Sequence, residues 1–267
     1  MLDLKDLENR TIYIVRETYA EFNRPAVLWS VGKDSTATLW LCRKAFFGKI
    51  PFPVIHIDTG FKFKQMYKFR GKIAREWGLD LMIATNEDAR KEGVSPETGD
   101  KLECCTRLKT EALKMFLEKH GFDALILAIR RDEHGIRAKE RYFSPRDEDF
   151  KWDYKDQPLE MWDQFQGLVG EGSHMRIHPI LHWRELDVWE YVRREGIPVN
   201  PMYFAKNGKR YRSLGCEPCT LPIESNAANI DEIVEELRTT KIAERSGRAQ
   251  DKESSFTMQK LRALGYM

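Results

Sequence analysis

Apolar residues recur at helical spacing through Leu4, Leu7, Ile14, Val15, Tyr19 and Phe22, so the chain opens on a helix over 4–22 that Pro25 ends. Four apolar residues, Ala26 to Trp29, are too few for a helix and read as a strand. A small polar turn follows, then an apolar helix over 35–46. Pro51 and Pro53 break the chain before a second strand, 54–57. Next come a helix over 64–77 stopped by Gly78, a third strand over 79–84 and a polar loop over 86–103. A helix over 106–120 ends at Gly121, and 123–128 is a fourth strand. Residues 134–174 are charged and aromatic with little periodicity, a loop length that marks function or motion. A short fifth strand over 175–177 precedes a helix over 184–195 closed by Gly196 and Pro198. Asn229 with Glu232 three residues on caps a further helix, and a last one covers 256–264. Helices alternating with short apolar strands predict an α/β fold, a mostly parallel sheet covered on both faces. The expected division is an α/β domain over 1–198 and a C-terminal extension over 199–267.

The turn after the first strand carries the most chemistry. Ser30-Val31-Gly32-Lys33-Asp34-Ser35 joins a strand to a helix N-terminus, where free backbone N–H groups and the helix dipole favour an anion. Gly32 lets a ligand approach the backbone, Lys33 adds a mobile positive charge, and Ser30 and Ser35 add hydroxyl donors. Asp34 suits either a magnesium ion or a helix cap. The run is too short for a Walker A loop. It resembles instead the pyrophosphate loop of ATP pyrophosphatases, a Ser-Gly-Gly-x-Asp-Ser pattern, which implies cleavage of ATP between its α and β phosphates.

Composition narrows the setting. The 267 residues suffice for a full core, and a net charge of +2 gives no global pull toward nucleic acid or a membrane. No apolar run approaches the ~20 residues of a membrane span. The acidic start Met1-Leu2-Asp3-Leu4-Lys5-Asp6 does not read as a signal peptide, so a cytoplasmic protein is expected. In a reducing compartment, the grouping of Cys104 with Cys105 and of Cys216 with Cys219 suggests a metal or redox site rather than disulfides. Cys42, among Trp40 and Leu41, reads as a buried, inert thiol. The histidines show no spacing typical of zinc catalysis, and His178 and His182 read as structural.

Longer matches make the resemblance specific. Pro51 to Phe63, Met66 to Arg70, Arg130-Arg131-Asp132-Glu133, Arg137 to Arg141, Leu214-Gly215-Cys216, Glu224 to Ala227 and Glu244-Arg245-Ser246-Gly247-Arg248 are similar to segments of sulfate adenylyltransferase subunit 2, in the same order. That family implies an adenine nucleotide α-hydrolase-like fold with strand order 3-2-1-4-5. It implies ATP with Mg2+ as substrate, adenylylation of sulfate or another oxyanion with release of pyrophosphate, and a GTPase large subunit as partner. Self-association as a homodimer stays open. Lys33, Ser35, Arg130 and Arg131 are then the candidate catalytic residues, since charge on the leaving pyrophosphate must be neutralised and Arg suits planar phosphate contacts. Asp58, Thr59 and Gly60, at the carboxyl end of the second strand, are expected at the adenosine. Arg137, Lys139 and Arg141 are candidates for holding the oxyanion, with a solvated face paired to Glu140 as the plain alternative.

The cysteines depart from that family. Cys104-Cys105 and Cys216-x-x-Cys219 resemble the 4Fe–4S ligands of assimilatory adenylyl-sulfate reductases, with zinc or free thiols as the alternatives. Those reductases use a C-terminal nucleophilic cysteine, and this sequence has none after Cys219, which counts against reduction. ATP pyrophosphatases of DNA phosphorothioation also combine a pyrophosphate loop with clustered cysteines. In that alternative a cysteine desulfurase or a DNA-associated partner is implied. A nucleotide sensor without turnover is the non-enzymatic alternative.

Overall fold

Strand β1 (Pro25–Leu28) runs through the middle of a six-stranded sheet, with every residue buried. The computed structural model describes residues 3–97, 100–168, 170 and 172–248. Parallel to β1 lie β2 (Val54–Ile57) on one side and, on the other, β4 (Ala124–Ile126). β3 (Leu81–Ala84) extends the sheet past β2, and β6 (His174–Ile177) extends it past β4, both in parallel. The expected order 3-2-1-4-5 is therefore present, the fifth strand being β6. A further edge strand, β5 (Phe143–Arg146), pairs antiparallel with β6, inside the segment expected to be a loop. Pro145 and Arg146 hide it from a periodicity search, and an edge is where a sheet tolerates proline.

Helix α1 (Leu4–Glu21) packs on α2 (Lys33–Ala45), α3 (Lys64–Glu76) connects β2 to β3, and α6 (Ala112–His120) precedes β4. Ile14, Leu39, Ile73 and Ala112 from these four helices meet Val27, Ile55, Leu125 and Met175 in one apolar cluster. Completely burying each large aliphatic side chain contributes about 1.5–3 kcal/mol. Left-handed glycines end α6 and α7 (Glu185–Glu195), at Gly121 and Gly196, as their positions suggest.

Two expectations in the middle of the chain change. The polar stretch 86–103 holds two short helices, α4 (Glu87–Lys91), capped by Asn86, and α5 (Lys101–Cys105), capped by Asp100. The helix expected to begin at Thr106 begins at Lys101. A wide turn over Thr106–Glu111 then carries the chain into α6. The cysteine pair consequently sits inside helical backbone rather than before it.

Beyond Val199 come a two-stranded ribbon (β7, Lys209–Arg210, with β8, Ile223–Glu224) and α8 (Ile230–Thr239). The Asn229 side chain accepts from Glu232 N and the Glu232 carboxylate from Ala228 N, as the capping pattern suggests. Ile233 and Val234 join Trp189, Val192, Leu41 and Leu7 in a second apolar cluster. A short turn covers Glu244–Gly247, and the expected helix at 256–264 lies outside the described residues.

Candidate functional site

Helices change faces where β1 and β4 adjoin, so the chain leaving β1 opens into the crevice where α/β sheets bind ligands. Gly32 is the N-cap of α2. Ser30 and Ser35 share a hydroxyl hydrogen bond of 3.0 Å, and Thr36 Oγ1 donates to Gly32 O at 2.8 Å. Val31 adopts φ 66°, a left-handed conformation rare for a β-branched residue, at a position where the pyrophosphate-loop pattern has glycine. Its side chain is buried, so packing offsets the strain.

Lys33 and Arg130 are almost without solvent exposure, 1% and 0%. The Lys33 ammonium pairs with Glu244 and with Asp34 at 3.2 Å, and lies 3.8 Å from Glu185. Arg130 pairs with Asp34, Glu244 and Asp132. Burial alone would lower the lysine's pKa, but Asp34, Glu244 and Glu185 outweigh it and hold it above its ordinary value. Burial would raise Glu244, and the charges of Arg130 and Lys33 hold it well below the carboxylate range instead. Glu185 moves up, through burial and then the neighbouring Glu244 charge. The Tyr203 hydroxyl accepts a hydrogen bond from the Lys33 amide at 2.9 Å. Leu28, Leu127 and Ile129 form an apolar wall of the same cavity, about 150 Å³, and Lys62, Lys109, Arg137, Arg245 and Arg248 add positive charge to it.

The expected site residues divide. Ser30, Gly32, Lys33, Asp34, Ser35 and Arg137 line this one cavity. Arg137 is paired with Glu133, which also accepts from Arg245 Nη1 at 3.1 Å. Arg131, next to Arg130 in the chain, turns instead into a second cavity with Arg141. The Lys139 ammonium lies 4.3 Å from the Tyr154 ring centre. Asp58 is engaged by Gly60 N at 2.8 Å, Tyr67 Oη at 2.8 Å and Arg70 Nη1 at 3.2 Å. Burial would raise its pKa, and these hydrogen bonds lower it. Thr59 Oγ1 lies 3.3 Å from Cys216 Sγ, so that residue faces the thiols. Glu244, Arg248, Lys62, Lys109 and Tyr203 also line the cavity, and no local pattern in the sequence assigns them a role. The Glu-Arg-Ser-Gly-Arg match and the placement of Lys109 four residues after Cys105 were the available signals.

Cys104, Cys105, Cys216 and Cys219 are all buried and unbridged. Burial, then the neighbouring Cys105, Cys216 and Cys219, push Cys104 up to about 12. Cys216 goes the other way: burial would raise it, but Lys109, Lys62, Thr59 and Arg248 bring it to about 7. Lys109 Nζ donates to Cys105 Sγ at 3.4 Å. Among the described residues no three His, Cys, Asp or Glu side chains converge as a single-ion site does. Cys42 is buried and pushed up to about 12 by burial, an inert thiol. His56 is buried and held to the Trp29 carbonyl at 2.8 Å, and His178 to the Arg141 carbonyl at 2.8 Å, so both are structural.

The loop over 216–221 is tied to two other segments by backbone hydrogen bonds. Glu217 N donates to Phe61 O at 2.7 Å, and Leu221 N donates to Gly247 O at 2.9 Å. The second bond fastens the Glu244–Gly247 turn, with its carboxylate on Lys33, directly to the thiol-bearing loop.

Residues 24–222 match the family model described as "Phosphoadenosine phosphosulfate reductase domain". A sulfate adenylyltransferase subunit 2 from Pseudomonas savastanoi pv. phaseolicola is 42% identical across 98% of this chain and 97% of its own length. Its namesake from Pseudomonas aeruginosa is 41% identical over the same shares. Among solved structures, a phosphoadenylyl-sulfate reductase from Candida auris superposes with a TM-score of 0.57 at 16% identity, covering 83% of this chain and 98% of that one. A Candida glabrata FMN adenylyltransferase gives 0.58 at 17% identity, covering 99% and 87%. At such identities the two structures speak for the fold alone.

Proposed function

The chain belongs to the sulfate adenylyltransferase subunit 2 family, built on the phosphoadenosine phosphosulfate reductase domain, and from that premise we propose how its cavity performs adenylyl transfer. It is a nucleotidyltransferase of sulfur metabolism that adenylylates sulfate with ATP. A sulfate oxygen attacks the α-phosphorus, the bond from that phosphorus to the bridging oxygen breaks, and pyrophosphate leaves with the electron pair. The observation that carries the assignment is the burial of Lys33 and Arg130 together at the N-terminus of α2. Their charges and the positive end of the α2 dipole suit the neutralisation of a leaving pyrophosphate. Leu28, Leu127 and Ile129 supply the apolar surface for adenosine, and the surplus of cations at Lys62, Lys109, Arg137 and Arg248 suits the sulfate dianion. Mg2+ bound with ATP would neutralise phosphate charge. Asp34 is its candidate ligand once its contacts to Arg130 and Lys33 loosen.

Cys104, Cys105, Cys216 and Cys219 are proposed to hold a 4Fe–4S cluster. Four tetrahedral zinc–sulfur bonds of about 2.3 Å would draw the sulfurs onto one point, whereas a cluster spreads thiolates over different irons. Buried, mutually close thiols and the cations at Cys216 support this reading. Adenylyl transfer moves no electrons, so the cluster's role is structural or electrostatic. The subunit name of the relatives implies a larger partner subunit, proposed here to be a GTPase, and the setting is proposed to be cytoplasmic. No observation favours the DNA phosphorothioation expectation.

The test is pyrophosphate release from Mg-ATP by the chain combined with its large subunit. Release that requires sulfate supports the assignment. ADP and orthophosphate as products, or release indifferent to sulfate, overturns it.

A further inference from the structure

A second cavity, of about 370 Å³, lies between α1, the chain leaving β4 and the loop over 159–165. Three guanidinium groups, Arg10, Arg131 and Arg141, line it. Arg10 is paired with Asp163 at 2.7 Å, whereas neither Arg131 nor Arg141 makes an ion pair among the described residues. Arg131 instead meets the His182 ring and donates to the Glu140 carbonyl at 3.0 Å. Its Nε is buried with no hydrogen-bond partner, and so is the Nε of Arg10. Glu160, the other carboxylate in the cavity, spends an oxygen on Phe143 N at 2.9 Å. His182 adds no compensating negative charge, for it is a neutral base or a cation.

Buried guanidinium N–H groups left without partners are costly, and such orphans call for an absent ligand or water. Arginine's planar fork matches the edges of a tetrahedral oxyanion better than any neutral group does. We propose that this cavity is a second oxyanion site, which binds a free tetrahedral dianion, sulfate or phosphate, between Arg131, Arg141 and Arg10. It is distinct from the pyrophosphate-loop cavity, because Arg131 lines it while the adjacent Arg130 is buried against Asp34 and Glu244, two residues of the other cavity's wall. The peptide between them makes the site a neighbour of the ATP cradle, so an ion on Arg131 is one residue from the guanidinium on Asp34 and Glu244.

Selenate, a heavy sulfate analogue, is the probe. Crystals of the full chain soaked in selenate should show anomalous density among Arg10, Arg131 and Arg141. In solution, dialysis of radiolabelled sulfate should find one more site on the wild type than on Arg141→Ala combined with Arg10→Ala. Each charged hydrogen bond removed should weaken that site about 10-fold or more. Arg141→Lys, which keeps the charge but not the fork, should restore part of the affinity, which separates ion binding from loss of fold. Displacement of selenate by both sulfate and phosphate supports a general dianion site, and displacement by sulfate alone supports a sulfate site. Empty density in the second cavity, or an unchanged number of sulfate sites in the double variant, overturns the proposal.

Discussion

Glu244 sets its carboxylate on the Lys33 ammonium, joining positions 211 residues apart at the mouth of the pyrophosphate loop. Arg130 holds the other oxygen of the same carboxylate. An acidic side chain thus occupies the two cations best placed for the outer phosphates of ATP. The remaining cavity, about 150 Å³, is below the roughly 300–1,000 Å³ of ordinary small-molecule sites. On the proposed function, nucleotide entry requires the Glu244–Gly247 turn to give way, the phosphates replacing the carboxylate on Lys33 and Arg130.

Glu244→Gln tests that exchange. Removing one partner of a buried ion pair costs about 3–5 kcal/mol, because the other charge stays behind. The variant should melt lower than wild type without nucleotide, since Lys33 and Arg130 keep only their other acidic neighbours. Mg-ATP returns negative charge to both cations, so its stabilising shift should be larger in the variant. Thermal melts with and without Mg-ATP read both effects. An equal shift in the two proteins would mean that Glu244 and ATP do not compete.

The sequence exposed the parts of this arrangement that are local. A four-residue apolar strand, a glycine and an apolar helix are contiguous, and their order alone builds the anion cradle at Gly32 and Lys33. What it concealed are relations between distant or opposed groups. Arg130 and Arg131 look like a pair on paper, yet neighbouring side chains in extended backbone point to opposite sides: Arg130 is buried against Asp34 and Glu244, and Arg131 turns to the second cavity. Nothing local announces that Glu244 meets Lys33. Strand β5 escaped because Pro145 and Arg146 interrupt its apolar pattern. Asp58 and Thr59 stand at the predicted strand end, but Arg70, Tyr67 and Cys216 claim their side chains.

Lys33→Ala should separate chemistry from the thiols. The lysine faces the phosphates' expected position, and loss of one such preorganised charge contact should slow pyrophosphate release about 10²–10³-fold. The cysteines lie off its ion-pair network, so iron content and brown colour should persist. Cys216→Ser should do the reverse to the colour and abolish it. Iron assay beside a pyrophosphate assay checks both. A colourless wild type purified without oxygen would remove iron from the account.

Gly247→Ala should loosen the turn that carries Glu244. A Cβ there would sit 2.5 Å from the Leu221 carbonyl oxygen, a backbone atom that cannot swing aside. The same carbonyl's residue donates its amide to Gly247 O, so the clash falls on the bond between the turn and the thiol loop. Such overpacking costs about 1–3 kcal/mol. Gly135→Ala is the control, with nothing within 4 Å of its Cβ. Chemical denaturation should show a lower midpoint for the first variant and little change for the second.

The thiols should titrate far apart in metal-free, reduced protein. Cys216 lies at about 7, where Lys109, Lys62, Thr59 and Arg248 overcome its burial, and Cys104 at about 12, where burial and its neighbouring thiols act together. Ultraviolet absorbance of the thiolate should therefore rise through one step near neutrality, and Cys216→Ser should erase that step. Lys109→Met, which removes the largest cationic contribution, should move it upward. The stability consequence has a definite sign. A thiol lowered from its unfolded value, about 8.5, contributes stability that is complete above the unfolded value and lost as pH falls through the folded one. Cys216→Ser should then cost the metal-free protein more at pH 9 than at pH 6, about the interval the lowered thiol spans. Equal costs at the two pH values would show that folding leaves the Cys216 thiol at its unfolded value, so that the cations around it do no more than offset its burial.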